Sequence, residues 1–304
     1  MTPAIIEMAI NGITTKDRTP HVPITPDEIA QDAVRLLDAG AAIIHNHNED
    51  IHLVGDAAAR AYAEGWARVL AEHPSAILCP TVVQAPTIAE KIAHLKPCAD
   101  YGARMGAIDP GSRNAASTAP DGSPGARRHV SVISFDEIDA VVAALGDAGL
   151  GPSIGVYEPG YLRAALAYHR AGRLPQGALV KLYFAGPHDF HPSSTPSGSP
   201  ALGFGLPPTR AALDAYLEML EGSGLPWSVA VLGGDAVESG IVRLALERGG
   251  HVRVGLEDYA GDALPTNMEL LKAVLAECRK AGRRPATPRE AATILKLKDR
   301  AARF

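Results

Sequence analysis

Cysteine is scarce in this chain: Cys79, Cys98 and Cys278 are the only three in 304 residues, and no two stand in Cys-x-x-Cys spacing. That excludes a disulfide framework and a zinc ribbon alike, and it suits a reducing cytoplasm. Long apolar runs are missing too, since no stretch approaches the ~18 residues of a membrane-spanning helix. The N-terminus, MTPAIIEMAING, has no basic region ahead of its apolar residues and soon meets Glu7 and Asn11, so it does not read as a signal peptide. Excess positive charge is absent: the net charge of −5 argues against a nucleic-acid or anionic-membrane partner, while 29 basic residues leave room for a local anionic group. No G-x-G-x-x-G follows the first apolar segment, where the turn reads NGITTKD, so the Rossmann dinucleotide fingerprint is lacking. Internal repeats and a long polar linker are lacking as well. What remains is a 46% hydrophobic sequence long enough to bury a large core, expected to be a soluble cytoplasmic protein.

Short apolar runs of strand type alternate with helix-type segments along the whole length. AIIEMAI (4–10) is the first strand. TPDEIAQDAVRLLDAG follows as a helix, with Thr25 as N-cap, Pro26 at its first position, Glu28 closing a capping box and Gly40 ending it. Further strands are expected at AAIIHNH, AILCPTV (76–82), DYGARMGA (100–107), PSIGVYEPG, ALVKLYFAG, WSVAVLGGD and HVRVGLED, with HVSVI as a possible extra one. Helical segments separate them, and NMELLKAVLAECRKAG and TPREAATILKLK close the chain. Eight strand–helix pairs at this length predict a (β/α)8 barrel, α/β in class, formed as a single domain over residues 1–304. Two stretches rich in Gly, Pro and Ser, about 108–128 and 187–208, follow strands and therefore read as long loops on the catalytic face.

Barrel chemistry gathers at the C-terminal ends of the strands. Those ends carry Asn11, His45 and His47, Thr81, Met105 to Asp109, Tyr157 and Glu158, Phe184, Gly233 to Asp235, and Glu257 with Asp258. His45 and His47, one residue apart, project to the same side of their strand and can share one metal ion. Two imidazoles and one carboxylate of the Glu257–Asp258 pair, with an open position, make a recurrent catalytic zinc set; the other carboxylate is then available as a base. Arg253 precedes that pair on the same strand, within reach of a carboxylate. His52, His73 and His94 read as solvated loop or helix-end residues, and His251 as a residue of the barrel's far end. His188 and His191 fall in the second long loop, where nothing ties them to the site.

With these residues in view, the sequence resembles the β-keto acid cleavage enzymes, a family of zinc-dependent (β/α)8 barrels. The resemblance is carried by TPDEIAQDAVRLLDAGAAIIHNH, IDPGSRN, YEPGYLRAALAYHRAG, GGHVRVGLEDYAGDALPTN and ATPREAATIL, and its specific part is His-x-His on strand two paired with RVGLED on strand eight. It implies that a β-keto acid and acetyl-CoA are converted to acetoacetate and a new acyl-CoA. His45, His47 and Glu257 would hold Zn2+, and Asp258 with Arg253 would form the proton-transfer pair. Thr81 stands at a family Ser position beside the reacting groups, and Asp109 at a pocket-lining Asn or Thr position. Gly233 and Gly234, after strand seven, lie where barrels often bind phosphate and could accept the CoA pyrophosphate; a tight turn explains them equally well. Ile13 departs from the pattern, because family members that cleave an amino-bearing keto acid carry Glu there. An apolar residue cannot pair a buried ammonium, so a neutral substrate is expected. The resemblance also implies a homo-oligomer. Two other readings of the residues are a metal-dependent hydrolase of the amidohydrolase kind and a non-catalytic binding protein on a barrel scaffold. The former would need further histidines on strands five and six, which have none.

Overall fold

The computed structural model describes residues 2–189 and 201–298. In chain order the strands are β1 (Ile6–Ala9), β2 (Ile43–Asn46), β3 (Ile77–Pro80), β4 (Met105–Ile108), β5 (Arg113–Thr118), β6 (Pro124–Ser131), β7 (Gly151–Val156), β8 (Leu179–Ala185), β9 (Ala201–Leu202), β10 (Trp227–Leu232) and β11 (His251–Val254). The helices are α1 (Pro26–Ala39), α2 (Gly55–Glu72), α3 (Ile88–Ile92), α4 (Leu95–Asp100), α5 (Phe135–Ala148), α6 (Pro159–Arg170), α7 (Arg210–Leu220), α8 (Ile241–Glu247), α9 (Asn267–Lys280) and α10 (Pro288–Leu295).

Eight strands form one parallel sheet in the order β3-β2-β1-β11-β10-β8-β7-β4. Its two ends meet where Leu78 and Ala103 form a parallel bridge and the Arg104 N–H donates to the Leu78 carbonyl at 3.1 Å. The sheet thus closes into the expected (β/α)8 barrel. Strands buried on both faces need near-continuous apolar sequence, and β1, β2, β3, β7 and β11 are buried at every position. Inside, the N-terminal end is filled by Ile5, Ile43, Ile77, Met105 and Leu179, packed against Ala291, Ala292 and Leu295 of α10, which stoppers that end. The helices cover the outer face through a larger apolar cluster that includes Trp66, Tyr62, Leu145, Phe184 and Leu271.

Helices that follow barrel strands start at the opposite rim, and capping boxes pin several of them: Thr25 with Glu28, Thr87 with Glu90, Ser134 with Glu137 and Thr266 with Glu269; a fifth, Thr287 with Glu290, starts α10 at the stoppered end. The first was legible in the sequence, together with the left-handed Gly40 C-cap. Three expectations need correction. The stretch 108–128 is not an irregular loop: β5 and β6 form an antiparallel hairpin around Asp121–Gly122, and β9, from the second long connection, adds a third strand to it. Its Ser/Ala/Gly composition hid a turn signal of hairpin type, in which Asp121 Oδ1 accepts the Ser123 N–H at 3.0 Å. The expected strand at 100–107 begins only at Met105, because residues 95–100 form α4. HVSVI contributes only its first residues, as β6 ends at Ser131. Residues 190–200 of the second connection, His191 among them, lie outside the described residues.

Candidate active site

The register of the barrel places the first pieces. Ala9 on β1 pairs with His45 on β2, and Glu7 pairs with Arg253 on β11, so the ends of β2 and β11 flank the end of β1. His45 is 3% exposed, and its Nδ1 lies 2.9 Å from the Cys79 carbonyl on β3. A carbonyl accepts only, so Nδ1 carries the proton and Nε2 keeps its lone pair. His47 is held through its main chain: Asn11 Nδ2 donates to the His47 carbonyl at 3.0 Å, and the His47 N–H donates to Asn11 Oδ1 at 2.9 Å. Asn46, between the histidines, accepts the Trp66 indole N–H at 2.9 Å, which ties the end of β2 to α2.

Glu257 meets both rings. Its Oε2 lies 3.2 Å from His45 Nε2 and its Oε1 3.4 Å from His47 Nε2. One ligand atom from each of the three residues lies within 4.8 Å of the others. Both ring nitrogens of His47 and Oε2 of Glu257 are buried and make no hydrogen bond among the described residues. Buried polar atoms seldom stay unpaired, and lone pairs converging on one point suit a cation. Two imidazoles and a carboxylate are a donor set for a zinc-like ion. Burial lowers the His45 pKa to about 4 against the pull of Glu257, so the imidazole is neutral at ordinary pH, as a ligand must be. Burial alone would raise the Glu257 carboxyl, but Arg253 and the two histidines hold it well below the usual range. Gly12 makes room for this side chain: its φ is +56°, and a Cβ there would sit 2.6 Å from Glu257 Cγ.

Arg253 and Asp258 form a two-pronged pair. Arg253 Nε donates to Asp258 Oδ2 at 2.9 Å and Nη2 to Oδ1 at 2.8 Å, and the same Nη2 lies 3.0 Å from Glu257 Oε1. The remaining nitrogen, Nη1, donates to Glu7 Oε1 at 2.9 Å. Asp258 is 3% exposed; burial pushes its carboxyl up to about 6, with Arg253 opposing. The site thus holds a metal-type donor set and a separately anchored carboxylate side by side.

The other residues singled out from the sequence fall around this pair. Thr81 follows β3, with its N–H donating to Tyr62 Oη at 3.2 Å and its carbonyl 2.9 Å from His94 Nε2. His94 is therefore not solvated as expected: it is fully buried and supports the Thr81 main chain. Asp109 lies over β7, where a Cβ at Gly155 would come 2.3 Å from its Oδ1, and burial raises its pKa with Arg113 opposing. Ile13 comes directly after Gly12 beside Glu257 and is partly buried. Gly233 donates its N–H to the Asp258 carbonyl at 2.8 Å, and its own carbonyl accepts from His188 N–H at 2.9 Å. Its amide is thereby engaged in supporting Asp258, and the neighbouring Gly234 packs against Val231 and Pro187.

At the end of β8 the parity differs from the sequence reading. Phe184 faces outward to Tyr216, while Tyr183 points inward, with its ring 4.8 Å from Tyr157 and 5.4 Å from the Arg253 guanidinium. Tyr157 in turn lies 4.2 Å beneath Arg113. Sequence reasoning missed Glu7 and Lys181, whose signal was a lone charge inside an otherwise apolar strand. His251 is buried at the far end of the barrel as expected, its Nδ1 accepting from the Ile5 N–H at 3.0 Å.

Comparison with known proteins agrees with this geometry. A family profile described as "BKACE: beta-keto acid cleavage enzyme" matches residues 3–297. The chain is 28% identical over 300 residues to the 3-keto-5-aminohexanoate cleavage enzyme of Fusobacterium nucleatum, covering 97% of this chain and 98% of that protein. It is 26% identical over 309 residues to the 3-oxoadipate:acetyl-CoA acetyltransferase of Cupriavidus necator, covering 97% and 95%. Among solved structures, the ternary complex of ObcA with C4-CoA adduct and oxalate superposes with a TM-score of 0.64 at 18% identity, over 91% of this chain and 68% of that one. That likeness concerns the barrel fold. No helix among the described residues is long and apolar enough to cross a membrane.

Proposed function

This chain belongs to the beta-keto acid cleavage enzyme family, and on that premise we propose that it condenses a β-keto acid with acetyl-CoA to give acetoacetate and the CoA ester of the remaining acyl group. The observation that carries the reading is the adjacency of His45, His47 and Glu257 to the doubly bonded Arg253–Asp258 pair. Those three side chains would hold Zn2+, which, when bound, supplies a Lewis acid for the keto oxygen. Asp258 takes the proton from the carbon between the keto and carboxyl groups, and the electron pair of the broken C–H bond stays on that carbon. Arg253 holds the accepting carboxylate on both oxygens, so it meets the C–H bond in one orientation. The carbon then attacks the acetyl thioester and expels the CoA thiolate. The thiolate attacks the original keto carbon, the bond from that carbon to C2 breaks to release the new acyl-CoA, and C2 takes back the proton held by Asp258 to give acetoacetate. Thr81 and Asp109 line the walls for the reacting groups, and the Gly233–Gly234 turn borders the CoA end without a Gly233 amide to offer a phosphate, that N–H being bonded to the Asp258 carbonyl.

Ile13 supports a neutral keto acid over an amino-bearing one, since an ammonium against an apolar wall loses hydration without gaining a partner. The chain acts as one catalytic unit over residues 1–304, in the cytoplasm and as a homo-oligomer. The test is direct: purified protein, acetyl-CoA and a panel of short-chain β-keto acids should yield acetoacetate with equimolar new acyl-CoA. Absence of both products across neutral, acidic and amino-bearing substrates would overturn the proposal.

A further inference from the structure

Below the ligand cluster the barrel interior is charged. Glu7 on β1, Lys181 on β8 and Arg253 on β11 point into it, at 1%, 2% and 2% exposure respectively. One oxygen joins them: Glu7 Oε1 accepts from Arg253 Nη1 at 2.9 Å and lies 3.3 Å from Lys181 Nζ. The two cations also share one aromatic face, with Lys181 Nζ 5.6 Å and the Arg253 guanidinium 5.4 Å from the Tyr183 ring centroid. Like charges this close, away from water, need an anion between them, and Glu7 occupies that place. The guanidinium is thereby gripped on two edges. Its Nε and Nη2 go to Asp258, and its Nη1 goes to Glu7 on the neighbouring strand β1. Without the second grip the guanidinium could turn about its long side chain and carry Asp258 with it.

We propose that Glu7 and Lys181 are positioning residues for the proton transfer. Glu7 fixes the plane of Arg253, and Lys181 holds Glu7 across the barrel and balances its charge. This rests on the reading of Asp258 as the base. Neither residue contacts the three metal-type ligands in any hydrogen bond or ion pair among the described residues, so their effect on metal content should be small.

The test follows exchange of the C2 protons of 3-oxohexanoate for solvent deuterium by NMR, with metal-loaded protein and no acetyl-CoA, above the spontaneous rate. Glu7→Gln and Lys181→Met should each slow exchange and kcat by roughly 10- to 100-fold, the scale of a misoriented catalytic group, with KM and metal content near wild type. The double variant should be slowed no more than the slower single one, because both residues act through the same grip on Arg253 and their effects do not add. Glu7→Asp keeps the charge but shortens the reach, so it should slow exchange even if a single variant fails to fold. If wild type exchanges no C2 proton, the assignment of Asp258 falls. If wild type exchanges and Glu7→Asp, Glu7→Gln and Lys181→Met match it, the positioning role falls alone. A double variant slowed by the product of the two single effects would also overturn it, as that is the outcome of two independent structural losses.

Discussion

Gly12→Ala places one methyl group where the structure has no room for it. The Cβ would lie 2.6 Å from Glu257 Cγ and 3.0 Å from Glu257 Cβ. Carbon atoms normally approach to ~3.5–4.0 Å, so one of the two residues must shift by about 1 Å. Glu257 cannot withdraw freely, because its carboxylate faces two imidazoles and lies 3.0 Å from Arg253 Nη2. Two effects add. A side chain at φ +56° costs about 1–2 kcal/mol of backbone strain, and overpacking about 1–3 kcal/mol more. Displacing a ligand carboxylate should in addition weaken metal binding by ~10- to 100-fold, the scale seen when ligand orientation is disturbed. Gly172→Ala separates the two, since Gly172 has φ +67° with nothing within 4 Å of a Cβ. It should lose stability without losing metal affinity. Zinc dissociation constants from competition with a chromophoric chelator, together with thermal unfolding of the metal-free proteins, give both quantities. Wild-type zinc affinity in Gly12→Ala, or an equal loss in Gly172→Ala, would refute the idea that this glycine makes room for a ligand.

Three further outcomes are expected. His45→Ala should lose most of the roughly one equivalent of metal measured by elemental analysis of protein purified without added zinc; full retention would remove His45 from the ligand set. Asp258→Asn should keep its metal while kcat falls about 100-fold or more, and Arg253→Ala should weaken the same step in a folded protein; near-normal turnover in Asp258→Asn would pass the base role to another group. Wild type should favour neutral β-keto acids over an amino-bearing one by about 100-fold in kcat/KM, and Ile13→Glu should narrow that gap. A wild-type preference for the amino substrate would show that Ile13 does not select.

The pieces that could be read ahead of the structure are those whose position follows from a local rule. His45 and His47 share a side because strand residues alternate, and both reach the Glu257 carboxylate. Thr25, Glu28 and Gly40 mark the ends of α1 by cap chemistry that spans a few residues. What escaped depends on distant partners. His94 follows the short α3 in sequence and looked solvated, but the fold buries it against the Thr81 carbonyl, thirteen positions back. Glu7 and Lys181 sit in runs otherwise apolar, and a charge there makes sense only once β1, β8 and β11 are known to face one interior. Tyr183 and Phe184 exchanged roles because a run apolar on both faces gives no parity. The β5–β6 hairpin was masked by small residues that suit loops as well as strands.

The strand order has a consequence in time. β1, synthesised first, lies between β2 and β11 in the sheet, and the ligands of the site come from the second strand and from just past the last one. On the ribosome, therefore, β1 waits with one hydrogen-bonding edge open until almost the whole chain has emerged. His45 and His47 meet Glu257 only when that edge is filled. A nascent chain stopped before residue 251 would present two bare parallel edges, those of β1 and β10, to neighbouring chains. An ion held jointly by His45, His47 and Glu257 would therefore need a chain translated past β11.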